Sequence, residues 1–353
     1  MTTPFDNDRY SRQRLLPQIG EAGQQRLLQA HVALVGCGAT GAAAAGLLAR
    51  AGVGTLTLID RDFVEPSNLQ RQMLFTEEDA ADAMPKAAAA KRRIAAINSN
   101  VRVHAHIADL VPGNARQLLA GADVILDATD NFETRYLLND LSIDKGTPWI
   151  YAAAIGTYAA TMNILPGETA CLSCIFPQPP GGTVETCDTA GILNTTVNLA
   201  ASLQVTEAIK LLTGQRSSMR TTLWSMDLWT GETSQVSTAK PTPGCITCGQ
   251  RDLRYLHGVG RPHITLCGRN SVQIHEHARP VDFAQLAARL APLGTVRFND
   301  MLLRFALNSS TDTHTDSSTD TCTLTVFADG RTLVQGTSDV ARARTLYARY
   351  IGS

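Results

Sequence analysis

The apolar run His31-Val32-Ala33-Leu34-Val35 stops at Gly36-Cys37-Gly38-Ala39-Thr40-Gly41 and gives way to an alanine-rich stretch ending at Ala51. A short buried strand, a turn that only small residues can make, and a helix therefore follow one another without a break. This order constrains the fold more than any other feature, because a strand leading into a helix through a tight turn returns to a second, parallel strand. That second strand covers 55–59 and ends at Asp60. The alternation continues with a helix over 86–97, a strand over 101–107, a helix around 115–119 and a strand over 124–126. It predicts an α/β fold built on a doubly wound, mostly parallel, Rossmann-like sheet.

Residues 1–29 read as an arm and a helix, with Leu15, Leu16, Ile19, Leu27 and Leu28 in a rough helical period; such an arm suits a partner subunit. Further strands are expected over 149–154 and 158–164, then a breaker-rich mobile loop over 178–189 and a long helix over 194–212 that stops near Gly214. After Cys248 the character changes. Strands over 263–274, 296–306, 322–327 and 331–335, with Asp329-Gly330 as a hairpin turn and helices near 282–290 and 338–350, make a small C-terminal α+β module. Within it the Ser/Thr/Asp run 309–321 is too polar to order itself. Three parts result: an arm (1–29), a nucleotide-binding domain (30–250) and the module (260–353).

A chain of 353 residues with 44% hydrophobic content can hold two cores. A net charge of −1 gives no reason to expect nucleic acid or an anionic membrane as partner. No stretch approaches the roughly 18 apolar residues of a membrane span, and the N-terminus has no signal pattern, so a cytoplasmic protein is expected. In that compartment eight cysteines point to metal binding or thiol chemistry rather than disulfides.

Gly36-x-Gly38-x-x-Gly41 has a mechanism as a nucleotide site: glycines let the backbone approach phosphates, and the helix N-terminus offers free N–H groups. Asp60 is placed to accept a hydrogen bond from a ribose. These features alone leave an NAD-dependent oxidoreductase, another nucleotide enzyme and a ligand-free turn all open. The segment Arg61-Asp62-Phe63-Val64-Glu65-Pro66-Ser67-Asn68-Leu69-Gln70-Arg71-Gln72 shifts the balance, because hydride transfer needs no charged cluster near the phosphates and a triphosphate does. Asp130-Asn131 follows a strand directly, where open parallel sheets place ligand-binding residues.

Taken together, Arg9-Tyr10-Ser11-Arg12-Gln13, the glycine turn, Asp60 with Ser67-Asn68-Leu69-Gln70-Arg71-Gln72, Pro85-Lys86, Asp127-Ala128-Thr129-Asp130-Asn131 and two Cys-x-x-Cys pairs resemble the ThiF/MoeB/HesA family, bacterial relatives of ubiquitin-activating enzymes. The resemblance covers about residues 5–250, and it implies a homodimer that uses MgATP to adenylate the terminal Gly-Gly carboxylate of a ubiquitin-like sulfur carrier such as ThiS or MoaD. It implies that Asp60, Asn68, Arg71, Lys86 and Asp130, with Asp62, Ser67, Gln70, Asn131 and the turn residues, hold ATP and magnesium. Arg12 would reach the partner's phosphates, and a sulfur donor protein would follow. Ala39 departs from the glycine many members have, by one methyl group. The chemistry agrees: a carboxylate already ionised at pH 7 attacks the α-phosphate without a general base, so catalysis is positioning and charge neutralisation. A binding module that has lost the chemistry would lack the Arg, Lys or Asp, and all are present.

Cys171-x-x-Cys174 and Cys245-x-x-Cys248 offer four thiolates to one ion, a set suited to a closed, structural Zn²⁺ site. Cys187 lies in the breaker-rich loop with Gly181 and Gly182, and ThiF-like relatives use a cysteine at this position for a sulfur-linked bond to the carrier, while MoeB-like ones do without it. Cys37, Cys267 and Cys322 read as small or buried packing residues. Cys267-Gly268-Arg269 falls on the first strand of the module, too early for a rhodanese loop, and no chemistry follows for that module.

Overall fold

The computed structural model describes residues 9–179, 190–258, 265–266, 271–274, 281–307, 322–328 and 330–351. The expectations for Cys187, Cys267, Asp329 and the 309–321 run lie outside these residues. The chain divides into two compact units, Met1–Gly260 and Arg261–Ser353.

The first unit opens with α1 (Ser11–Arg14) and α2 (Gly20–Gln29), then β1 (His31–Val35), α3 (Ala39–Ala51), β2 (Thr55–Asp60), α4 (Glu77–Ala81), α5 (Lys86–Ile97), β3 (Arg102–Ile107), α6 (Pro112–Leu118) and β4 (Val124–Asp127). It continues through α7 (Phe132–Lys145), β5 (Trp149–Ile155), β6 (Tyr158–Ile164), α8 (Leu172–Ile175), α9 (Asn194–Leu212), β7 (Thr222–Asp227) and β8 (Thr233–Ser237). One eight-stranded sheet runs β3-β2-β1-β4-β5-β6-β7-β8. The pairings from β3 to β5 are parallel, and those from β5 to β8 are antiparallel. The expected Rossmann-like half is thus extended by an antiparallel wing, of which β7, β8 and the preceding α7 were not anticipated.

Helices cover both faces. On one, Val32, Leu34, Leu56, Leu58, Leu126 and Ile150 pack under α3, α5 and α9. Small residues set the spacing there: Ala42, Ala45 and Ala49 of α3 and Ala201 and Ala208 of α9 are buried, which lets these two helices approach closely. Leu48 is completely buried in this layer, and truncating it to Ala would cost about 2–5 kcal/mol. On the other face Val35, Ile125, Trp149, Tyr151, Met162 and Ile164 pack with Leu137, Leu138 and Leu141 of α7 and with the Cys171 and Cys245 segments.

The arm is only partly as expected. Leu27 is buried, but Leu15 and Leu16 are 72% and 50% exposed, because Gly20 takes a left-handed φ of +58° and breaks the apolar face in two.

The second unit has β9 (Thr265–Leu266), β10 (Ser271–Ile274), α10 (Phe283–Leu290), β11 (Gly294–Phe298), β12 (Leu302–Leu307), β13 (Thr323–Phe327), β14 (Thr332–Gln335) and α11 (Val340–Tyr350). Its sheet is antiparallel throughout, in the order β11-β12-β13-β14-β10-β9. Both expected helices and the β13–β14 hairpin are present. The single strand expected over 296–306 is instead the β11–β12 hairpin, because the Asn299 side chain accepts the Met301 and Leu302 N–H groups and turns the chain. The strand expected over 263–274 is likewise two, β9 pairing antiparallel with β10. Among the described residues no helix is long and apolar enough to cross a membrane.

Candidate functional site

The order β3-β2-β1-β4-β5 reverses direction between β1 and β4, the switch point where open α/β sheets carry their ligand crevice, at the carboxyl ends of the strands. Gly36 ends β1 there with φ +91°, and a Cβ on it would lie 2.6 Å from the Ala128 carbonyl beyond β4. A Cβ on Gly41 would run into the Gly36 carbonyl itself. Gly38 differs, since a Cβ there would meet nothing within 4 Å. Two glycines therefore close the turn upon itself, and the third keeps open space before α3. No side chain caps α3, so its first N–H groups are left for a ligand.

Asp60 organises this turn as well as facing it. One carboxylate oxygen accepts the Cys37 N–H at 2.6 Å and the other the Asp62 N–H at 2.7 Å. Burial pushes the Asp60 carboxyl above its ordinary range, opposed by Lys86 and by these two N–H donors. Cys37 is fully buried, and burial raises its thiol well above the usual value, so it is inert.

Lys86 is the first residue of α5, where the helix dipole disfavours a cation, and no acidic residue lies in that first turn. It is nonetheless only 2% exposed, with its ammonium 3.2 Å from Asp62 Oδ2. Asp62, and Asp60 near it, offset the buried ammonium. Arg61 pairs with Asp109 at 3.2 Å; burial works against its charge, but Asp109, Asp62, Asp130 and Asp60 together outweigh it. Arg61 and Asp109 were missed as site residues: Arg61 adjoins Asp60 in sequence, but Asp109 comes from beyond β3, which nothing in the chain order reveals.

Asn68 is buried, and its side-chain oxygen accepts the Glu65 N–H at 3.0 Å, holding the 65–68 turn. Arg71 donates to the Ser67 carbonyl at 2.9 Å, and Ser67 and Gln70 are exposed. Asn131, not Asp130, caps α7, accepting the Thr134 N–H at 2.8 Å. Asp130 is left exposed, one residue before the cap. Behind it Asp127 is completely buried and accepts the Thr129 N–H and hydroxyl at 2.9 and 2.7 Å, and Arg135 pairs with it. In the arm, Tyr10 is buried with its hydroxyl accepting from Asn98 at 2.8 Å, and Gln13 donates to the Ala51 carbonyl at 2.8 Å. These anchors leave Arg12 exposed.

On the other face of the sheet the four cysteines converge. Cys171 Sγ is 3.8 Å from Cys174 Sγ and 3.6 Å from Cys245 Sγ, and Cys174 Sγ is 3.4 Å from Cys248 Sγ. All four sulfurs lie within 4.8 Å of one another. Metal–sulfur bonds of about 2.3 Å give a tetrahedron with edges of about 3.8 Å, whereas a disulfide needs about 2.05 Å. The cluster therefore fits one metal ion with no ligand position left open. Its two loops are also joined by Ser173 and Thr247, whose hydroxyls are 2.9 Å apart. Helix α7 anchors them: Asn139 accepts the Leu172 N–H at 2.8 Å, and Asp140 accepts the Tyr255 and Leu256 N–H groups at 2.8 and 3.2 Å.

Known proteins are similar to this chain in sequence and fold. The model of the ThiF family matches residues 10–249. Over 348 residues the chain is 42% identical to the sulfur carrier protein ThiS adenylyltransferase of Bacillus subtilis (strain 168), covering 98% of this chain and 99% of that protein. It is 39% identical over 261 residues to the sulfur carrier protein adenylyltransferase of Thermus thermophilus, covering 71% of this chain and 95% of that one. The crystal structure of Escherichia coli MccB with ATP is similar in fold, with a TM-score of 0.60 and 24% identity, covering 70% of this chain and 76% of that chain. With the glycine crevice, its buried lysine and the four-cysteine cluster in place, the chain belongs to the ThiF family.

Proposed function

We propose that the protein is an adenylyltransferase that uses MgATP to activate the C-terminal Gly-Gly carboxylate of a ubiquitin-like sulfur-carrier protein. The observation that carries this reading is Lys86, a cation buried at a helix N-terminus and within electrostatic reach of Cys37 and Asp60 at the glycine turn, in a chain so similar to proteins named for this activity.

The glycine turn receives the phosphates, and Asp60, at the end of β2, is the group for the ribose. Lys86, Arg71 and, from the partner subunit's arm, a second copy of Arg12 offset the charge that grows as the carrier carboxylate attacks the α-phosphate and pyrophosphate leaves. Asp130 and, by the resemblance, Asn68, Asp62, Ser67, Gln70 and Asn131 complete the nucleotide site; hard carboxylate and amide oxygens suit Mg²⁺. When bound, that ion neutralises charge on the phosphates. The homodimer is supported by Leu15 and Leu16, apolar and exposed on the same short arm as Arg12. Zinc is the ion the four thiolates suit, tying 245–248 back to 171–174. The adenylation domain then spans 30–250 behind the 1–29 arm.

Carrier-dependent exchange of labelled pyrophosphate into ATP tests the reading. Asp130→Ala should abolish exchange, and exchange at the wild-type rate in that variant would sink the assignment. Cys187→Ala should leave exchange intact. If a sulfur donor and carrier give a thiol-sensitive adduct on the wild type only, the protein is ThiF-like; an adduct unchanged in the variant makes Cys187 a bystander.

A further inference from the structure

Arg135 sits in the first turn of α7 and is 6% exposed, where a guanidinium must find partners for its charge and its donors. Those partners belong to the turn that carries Asp130 and to the neighbouring strand. Its Nε lies 3.4 Å from Asp127 Oδ2, and Nη2 donates to the Thr129 carbonyl at 2.6 Å and to the Ala152 carbonyl of β5 at 3.4 Å. Its Cζ lies over the rings of Phe132 and Tyr151, 5.1 and 5.0 Å from their centroids. Burial works against its charge, but Tyr151, Asp127 and Asp130 outweigh it.

From the opposite face, Gln204 of α9 donates to the carbonyls of Asp127 and Ile150, both at 2.7 Å. The carboxyl end of β4 is thereby fixed to the start of β5, and Thr129 is held between Asp127 and Arg135. Asp130 is the next residue. It is exposed and makes no hydrogen bond or ion pair among the described residues, so its place depends on its two neighbours: Asn131, fixed as the cap of α7, and Thr129, held by Asp127 and Arg135.

We propose that Arg135 is a positioning residue for Asp130: it touches neither nucleotide nor carrier, and it locks the 127–131 turn so that Asp130 stands ready for the cation of the nucleotide. This rests on the reading of the crevice as a metal–nucleotide site. Arg135 differs from an ordinary buried ion-pair residue in spanning three groups at once, with Nε beside Asp127 and Nη2 on the Thr129 and Ala152 carbonyls, a spread that the single ammonium of lysine cannot cover.

The test uses the full-length protein and three measurements: Mn²⁺ binding by electron paramagnetic resonance with a non-hydrolysable ATP analogue, the Mg²⁺ dependence of pyrophosphate exchange, and thermal melting. Arg135→Lys keeps the charge but cannot reach Asp127 and the Thr129 and Ala152 carbonyls together. It should stay folded, weaken Mn²⁺ binding about ten-fold, and raise the half-saturating Mg²⁺ by a similar factor, with carrier KM nearly unchanged. If Arg135→Lys does not fold, the neutral pair Asp127→Asn with Arg135→Met, which leaves no uncompensated charge, takes its place. A folded variant with wild-type Mn²⁺ affinity, or one in which only melting temperature and kcat fall, overturns the proposal. So does loss of fold in both variants, which would make Arg135 a stability residue. If the wild type holds no Mn²⁺ with the analogue, the nucleotide reading itself falls and takes the proposal with it.

Discussion

Lys86 is joined to Asp62 twice: its ammonium lies 3.2 Å from the Asp62 carboxylate, and its backbone N–H donates to the Asp62 carbonyl at 2.8 Å. The lysine is thus fixed at both ends before any ligand arrives, so little ordering is left for the reaction itself.

Lys86→Met should therefore lower carrier-dependent pyrophosphate exchange about 10²–10³-fold, the loss typical of one preorganised donor facing developing charge. Exchange within a few-fold of wild type in a folded variant would remove Lys86 from the phosphate site.

Gly38 and Gly41 should behave oppositely. Gly38 has φ −71° and open space around a Cβ, so Gly38→Ala should melt close to wild type yet raise the KM for ATP, because the new methyl occupies the approach to the α3 N-terminus. Gly41→Ala puts a Cβ against the Gly36 carbonyl and should cost stability first. Comparing melting curves with ATP titrations separates the two; an unchanged KM in Gly38→Ala would mean phosphates bind elsewhere.

Metal analysis of protein purified without chelator should find one zinc ion per chain. Cys171→Ser should lose the ion and open the link between residues 171 and 245, which lie 74 positions apart. A cross-link closing a loop of that length is worth about 4 kcal/mol, which corresponds to a fall of about 8–16 °C in melting temperature. The same melting temperature with and without the ion would show that the site carries no structural role.

Asp140 gives a pH signature. Burial raises its carboxyl from 3.8 to about 6, despite the two N–H donors it accepts. The folded state thus holds a proton that the unfolded chain releases near pH 4, so this group's contribution is full below about pH 4 and is lost as pH rises to about 6. Asp140→Asn keeps the acceptor for Tyr255 and Leu256 without the buried charge. Between about pH 5 and 7.5 it should gain on the order of 1 kcal/mol relative to wild type in denaturant titrations. A stability difference that does not change with pH would refute the shift.

Strands β1, β2 and β4 were legible because they are short apolar runs closed by glycine or aspartate, and the end of α9 was legible from Gly214. Helix α7 was not: Thr134 through Ile143 are all buried, polar Arg135, Asn139, Asp140 and Ser142 among them, so polarity does not mark a solvent-facing side. Strand β8 failed in the opposite way, since Thr233–Ser237 is exposed throughout and carries no apolar alternation. At the site, residues that act through their own backbone neighbourhood could be read from spacing, as with Gly36, Asp60 and Lys86. Those that act across the fold could not. Asp109 meets Arg61, and Gln204 meets Asp127, only after strands and helices have been laid side by side.

Glycine is usually invoked where a chain must bend or move, and the Gly36–Gly41 contact implies the reverse. With the Gly36 carbonyl seated where a Cβ of Gly41 would be, and Ala128 seated where one of Gly36 would be, three segments of main chain touch with nothing between them. Rigidity here comes from the missing side chains: backbone packed on backbone has no rotamers to sample. A nucleotide arriving at this turn meets a surface already set, and changes at either glycine should propagate to the other as one mechanical unit.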